Sequence, residues 1–261
     1  MTQTRRDTGA WIRRFHPSDA SVRLVCFPYA GGSASYYHGM SRTLSAETDV
    51  LAVQYPGRQE RRGEPCVRDL AELADLVLEE IRPWADRPLA FFGHSMGALL
   101  SFEVARRLEH EGVMPAMLFV SGRRAPRLAR HGDVHLRSDD ELVAAVRKLN
   151  NDDLHLLDEP EVRDLLLPPL RSDYQAVETY RYEPGPALRC PVVVLTGDQD
   201  PQVTCDEAQA WREHTTGAFE LRSFPGGHFY LDTHATAVTG VVATHLRNLR
   251  IRIPRHGAGE A

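Results

Sequence analysis

Lysine is almost missing from this sequence. Lys148 is the only one, and every other basic side chain apart from histidine is arginine. The bias reads as a GC-rich coding preference rather than as mechanism, but it removes the lysine that a phosphate-cradling P-loop needs. Cysteine is also scarce. Cys26, Cys66, Cys190 and Cys205 are scattered without a close pair, which leaves neither a disulfide framework nor a zinc site. Cys26 and Cys190 fall in or beside strand-like runs and read as buried free thiols, a pattern that fits a reducing, cytoplasmic setting. No apolar run approaches the roughly 18 residues of a membrane span. The opening Met1 to Asp7 lacks the apolar core of a secretory signal, and Arg5 with Arg6 has no such partner either. Positive charge is not in excess: the net charge is a mildly acidic −5, which argues against nucleic acid or an anionic membrane as partner. No Gly-, Pro- or Ser-rich linker divides the 261 residues, so a single domain is expected.

What is present is a 42% hydrophobic composition, enough for a sizeable core, and one unusual stretch. The apolar run Leu89-Ala90-Phe91-Phe92 enters Gly93-His94-Ser95-Met96-Gly97, and an apolar helical pattern leaves it. Strand, sharp turn and helix in that order match a nucleophile elbow, where a serine hydroxyl stands above the edge of the sheet. Backbone packs closely on both sides of such a serine, so the positions two before and two after must be small. Here both are glycine. The Met96 N–H then opens a helix and is placed to stabilise an oxyanion.

The rest of the chain alternates strands and helices. Trp11 to Phe15 reads as a short edge strand and Val22–Phe27 as a strong one. The loop Tyr29 to Ser35 follows, and its Ala30 N–H is the expected second oxyanion donor. A helix begins near Tyr36. Strands are expected at 49–55, 89–92, 117–121, 191–196 and 219–224. Helices are expected at 67–84, 96–110, 206–214 and 235–249, with the residues after Ile253 disordered. From Arg123 to about Glu183 strands cease. Helical patterns at 139–149 and 161–180 read as a lid inserted at about 123–183, and Pro168-Pro169 should kink or split the second. The whole is an α/β fold, a mostly parallel twisted sheet with helices on both faces.

Serine catalysis needs a base, an orienter and oxyanion donors. In α/β-hydrolases the order is Ser, acid, His. His228 directly follows the last strand in a Gly-Gly-His turn and is the expected base. His94 reads as a packed elbow residue, while His214 and His234 read as surface residues. The acid is Asp198, Asp200 or Asp206, all near the end of one strand. Asp198 could instead bond its own turn and Asp206 could cap the next helix, which favours Asp200.

Five motifs in order carry a resemblance: Phe27-Pro28-Tyr29-Ala30-Gly31-Gly32, Gln54-Tyr55-Pro56-Gly57-Arg58, Gly93-His94-Ser95-Met96-Gly97-Ala98, Gly197-Asp198-Gln199-Asp200-Pro201 and Phe224-Pro225-Gly226-Gly227-His228-Phe229. With Glu178-Thr179-Tyr180-Arg181-Tyr182 they make the chain, from about Val22 to Leu249, similar to type II thioesterases of the α/β-hydrolase superfamily. These are stand-alone editing enzymes of polyketide and nonribosomal peptide assembly lines. The resemblance implies Ser95 as nucleophile, Asp200 as acid, His228 as base, and Ala30 and Met96 as oxyanion donors. It implies no cofactor, a transient acyl or peptidyl carrier protein as partner, and hydrolysis of a thioester on phosphopantetheine. One departure is Asn150-Asn151-Asp152-Asp153, where a glycine-bearing turn is expected. Arg58, Arg61 and Arg62, or Arg123 to Arg130, are candidate docking cations, with a plain solvated face as the alternative. A carboxylesterase or lipase, or a non-catalytic carrier-binding module, would share the fold.

Overall fold

The computed structural model describes residues 10–149 and 159–252. The opening Met1 to Asp7, the Asn150–Asp153 departure and the tail after Ile253 therefore lie outside the described residues. The strands are β1 (Ile12–Arg13), β2 (Arg23–Phe27), β3 (Asp49–Val53), β4 (Leu89–His94), β5 (Met117–Ser121), β6 (Val192–Gly197) and β7 (Phe219–Phe224). They form one sheet in the order β1-β3-β2-β4-β5-β6-β7. Among the described residues only β1 runs antiparallel, Ile12 facing Val53 at the edge, in keeping with the short strand expected near Trp11.

Helices α1 (His38–Leu44), α2 (Leu70–Ile81), α3 (Met96–His110), α4 (Asp139–Arg147), α5 (Pro160–Thr179), α6 (Cys205–Gln209), α7 (Tyr230–Thr233) and α8 (Ala235–Arg252) complete the fold. Strands buried on both faces must be apolar throughout, and alternate residues of β4 serve two cores. Leu89 and Phe91 join α2 and α3 on one side. Ala90 and Phe92 join Tyr37, Leu44, Val242 and Leu246 on the other, where α8 lies. Cys26 and Cys190 are buried free thiols.

Caps and prolines explain where boundaries move. The 67–84 helix starts only at Leu70, because Asp69 accepts the Glu72 N–H as N-cap. At 206–214 the cap is Thr204, which forms a capping box with Glu207. Asp206 is thus inside the first turn rather than at its cap. Of the kink or split expected at Pro168-Pro169, the split does not occur: α5 runs continuously from Pro160 to Thr179 with both prolines inside it. Each proline removes a donor from the carbonyl four residues earlier. Those carbonyls belong to Asp164 and Leu165, both exposed, where water can take the bond.

Between β5 and β6 the chain leaves the sheet and builds α4 and α5. Leu142, Val143, Val146, Leu167 and Leu170 form a third apolar cluster there, separate from the two that flank the sheet. This helical insertion sits at the carboxyl ends of the parallel strands, the side on which open α/β sheets bind ligands.

Candidate active site

The register of the parallel strands brings five loops to one edge. Phe27 lies opposite Gly93, His94 opposite Ser121, and Gly197 opposite Phe224. Beyond these residues come the Tyr29–Gly32 loop, the Ser95 turn, Gly122–Arg124, the Asp198–Pro201 loop and the Gly226–His228 loop.

Ser95 has a positive-φ backbone, with φ +54° and ψ −112°. A non-glycine residue held this way costs on the order of 1–3 kcal/mol and persists only where its surroundings over-determine it. The surroundings do so here. Ser95 N–H donates to the Ser121 carbonyl at 2.8 Å. A Cβ on Gly93 would come within 2.1 Å of the Gly97 carbonyl oxygen, and one on Gly97 within 2.0 Å of the Phe27 carbonyl oxygen. Both glycines are therefore required by close backbone approach.

The turn aims the serine at His228. His228 Nε2 lies 3.0 Å from Ser95 Oγ, and His228 Nδ1 lies 2.8 Å from Asp200 Oδ2. The other carboxylate oxygen of Asp200 accepts the Gln202 N–H at 2.7 Å. Both His228 and Asp200 are buried. Asp198 instead points back across the loop and accepts the Gly226 N–H at 2.9 Å. It steadies the backbone that carries His228 without touching the ring. Ala30 and Met96 line the same cavity as Ser95 and His228. Among the described residues, neither the Ala30 nor the Met96 N–H donates to any protein group. Two free donors beside a serine–histidine–carboxylate chain are the elements of an acyl-transfer site.

A second tier lies beneath. His94 is fully buried, its Nδ1 2.9 Å from Ser121 Oγ, and Ser121 Oγ is 2.6 Å from the Tyr230 hydroxyl. Burial first, and the neighbouring His228 second, hold His94 far below the usual imidazole range. It is a packed neutral ring, as its place in the turn implies. The Ser121–Tyr230 support has no counterpart among the sequence expectations, because neither residue lies in a recognisable pattern.

His214 overturns the surface reading. It is buried against Phe102, Trp211 and Tyr182, since residues 210–214 tighten into a 3-10 turn that rotates it inward. His234 is half-buried and bonds the Pro225 carbonyl at 3.0 Å. Desolvation lowers His214 to about 4. A base depressed in the folded state leaves the unfolded chain the better proton binder below its ordinary pKa of about 6.5. The stability His214 contributes is therefore complete above pH 6.5 and is lost as pH falls towards about 4. Urea midpoints measured across this range should drop with acidity, and His214→Phe should flatten the slope.

The expected docking arginines are mostly structural. Arg58 is buried and grips Asp173 of α5 through two bonds, of 2.7 and 2.9 Å, while its Nη1 also donates to the Gly32 carbonyl at 3.0 Å. Asp173 in turn accepts the Gly31 N–H at 2.7 Å. The pair thus fixes the insertion to the loop that carries Ala30. Arg61 is buried over Trp11 and bonds the Gln54 carbonyl. Arg124 bonds the Gln202 carbonyl, Arg127 pairs with Glu213 and Arg130 with Glu207. Exposed cations remain in both clusters, Arg62 in the first and the paired Arg127 and Arg130 in the second. Asp173→Ala should cost about 3–5 kcal/mol of stability by stranding a buried cation. An Arg58→Ala, Asp173→Ala double variant should lose less than the two single losses together, which denaturant unfolding of all four proteins would measure.

Comparison with known proteins adds the deciding observation: the family model for the thioesterase domain matches residues 22–246. The chain belongs to the thioesterase family. It is 51% identical over 245 residues to a probable cadicidin biosynthesis thioesterase of Streptomyces griseus, covering 93% of this chain and 68% of that protein. It is 49% identical to the thioesterase PikA5 of Streptomyces venezuelae, covering 92% and 86% of the two chains. Among solved structures it resembles the type II thioesterase BorB from the borrelidin biosynthetic cluster, with 49% identity, a TM-score of 0.87, and coverage of 94% of this chain and all of that one. The thioesterase is thus a thioester hydrolase of the type II kind on an α/β-hydrolase fold. Among its described residues no helix is long and apolar enough to cross a membrane.

Proposed function

We propose that this thioesterase removes acyl groups held as thioesters on the phosphopantetheine arm of an acyl or peptidyl carrier protein, acting as an editing enzyme in the cytoplasm. The observation that carries the reading is the continuous chain Ser95–His228–Asp200, at 3.0 and 2.8 Å, opening into a cavity of about 620 Å³ beside the Ala30 and Met96 N–H groups. The carrier partner rests on the kinds of pathway named for its relatives.

Ser95 Oγ attacks the thioester carbonyl carbon while His228 Nε2 takes its proton. Asp200 holds the ring with Nδ1 protonated and stabilises the imidazolium. The Ala30 and Met96 N–H groups hold the oxyanion of the tetrahedral intermediate. Collapse breaks the C–S bond, and the imidazolium returns the proton to the thiolate. That leaving group is a good one, with a thiol pKa of about 8–9. Water, deprotonated by His228, then attacks the acyl-Ser95 ester and releases a carboxylic acid. These steps use side chains and water and call for no resident cofactor. The insertion at 123–183 acts as the lid over the acyl cavity, whose far wall is apolar at Val146, Leu149, Leu166 and Leu170.

The test is intact-protein mass spectrometry of carrier proteins loaded with short and long acyl groups. Wild type should remove the acyl mass, and Ser95→Ala should leave it. Survival of carrier-bound acyl groups alongside cleavage of simple esters would replace this reading with an esterase.

A further inference from the structure

The acyl cavity has one wall that hydrolysis does not use. Arg123 follows Gly122 at the end of β5 and lines the cavity. Its Nε is buried without a hydrogen-bond partner. Its neighbours along the wall are satisfied: Arg124 donates to the Gln202 carbonyl and Arg130 pairs with Glu207. Among the described residues no carboxylate pairs with Arg123. Burial, with the Arg124 cation adding to it, lowers its guanidinium to about 10, and only the hydroxyls of Tyr180 and Tyr174 act the other way. Tyr180 already donates to Glu103 at 2.7 Å. Tyr174, on α5, lines the cavity too, and its hydroxyl bonds no protein group among the described residues. Nearby Val134, Val146 and Val177 are apolar.

The Arg123 Nε, buried where polar atoms are almost always satisfied, and the Tyr174 hydroxyl both lack a protein partner among the described residues, and both residues line one chamber. The missing partner is an acceptor, since a guanidinium only donates. We propose that Arg123 and Tyr174 form a polar subsite that recognises an acceptor oxygen on the acyl chain itself, a carbonyl or carboxylate beyond the thioester. Arg123 donates to that oxygen and Tyr174 supplies a second bond. The subsite selects oxygen-bearing acyl groups over hydrocarbon ones, because a plain alkyl chain leaves both groups unpaired. Hydrogen bonds to charged groups are the stronger kind, and discrimination of about 10- to 100-fold is expected.

The inference rests on the thioesterase reading above, and its test separates the two. N-acetylcysteamine thioesters of hexanoate, 3-oxohexanoate and adipate (as the half-thioester) carry no phosphate, so any selectivity belongs to the acyl chain. Wild type should favour one of the oxygen-bearing chains over hexanoyl by about tenfold or more in kcat/KM. The 3-oxo arm identifies a neutral carbonyl as the ligand, the adipoyl arm a carboxylate. Arg123→Met should bring that ratio towards one, Arg123→Lys should keep part of it, and Tyr174→Phe should lower it while preserving the ring. The ratio is the readout, because a purely structural defect lowers all three substrates together. If Arg123→Met does not fold, Tyr174→Phe decides. Cleavage of hexanoyl and oxygen-bearing chains at equal kcat/KM by wild type overturns the subsite and leaves the thioesterase reading standing. Failure to cleave any thioester, free or carrier-bound, overturns that reading first.

Discussion

Ser95→Ala should lower thioester turnover by about 10⁶-fold, the scale on which serine-protease triads lose rate when their nucleophile is removed. Removing one oxygen deletes the acyl-enzyme route as a whole, since His228 is left with no hydroxyl to deprotonate at 3.0 Å. The effect should fall on kcat. The cavity walls and the Ala30 and Met96 donors stay in place, so a bound thioester still meets an oxyanion site, and a residual acceleration of about 10³–10⁴ over water should remain. The fold should hold, because an alanine in the turn carries the same backbone strain and strands no buried donor. A single-turnover assay with thiol release as signal reads the loss directly. Turnover within tenfold of wild type would remove Ser95 from the reaction. In that case a water molecule activated by His228 would be the attacking group.

Asp200→Asn should cost up to about 10⁴-fold, the loss seen for the equivalent change in a serine protease. The carboxylate accepts from His228 Nδ1 at 2.8 Å, which leaves Nε2 free to take the serine proton. An amide in its place can donate to Nδ1 and so turn the ring to the wrong tautomer. Asp200 Oδ1 also accepts the Gln202 N–H at 2.7 Å, a bond that the asparagine oxygen can keep, so the loop should hold its shape. The control is Asp198→Asn. That side chain reaches the Gly226 N–H at 2.9 Å rather than the ring, and its amide oxygen can still accept there, so its loss should stay below tenfold. If the two losses are reversed, the acid is Asp198.

The strand order and the serine turn are legible in the sequence because their signals are local. An apolar run of four, two glycines around a serine and a Gly-Gly-His turn each fix backbone shape within a few residues. The acid is ambiguous for the same reason: Asp198 and Asp200 leave the same strand, and only the third dimension shows which one meets a ring 28 residues away. Arg58 reads as a docking or solvated cation because its partner, Asp173, is 115 residues distant. No periodicity reports such a pairing. His214 reads as exposed because a helical wheel assumes 3.6 residues per turn, and a 3-10 turn has three. The Thr204 cap is within reach of sequence reading, because Thr204-x-x-Glu207 is a capping-box pattern. The unbroken α5 does not follow from proline content alone; it depends on the freed carbonyls meeting water.

The separate apolar cluster of the insertion bears on how such an enzyme can diverge. Leu142, Val146, Leu167 and Leu170 pack with one another and not with the cores that flank the sheet, yet Val146 and Leu170 also face the acyl chamber. Asp173, only three residues past Leu170, is where α5 is bolted to the sheet domain. Leu170 also packs closely on Gly31 of the loop that carries Ala30, so exchange in sequence that leaves the hydrolytic geometry untouched must stop short of it. Positions such as Val146 and Leu166, which line the chamber without that contact, are where the wall can be reshaped independently of the reaction.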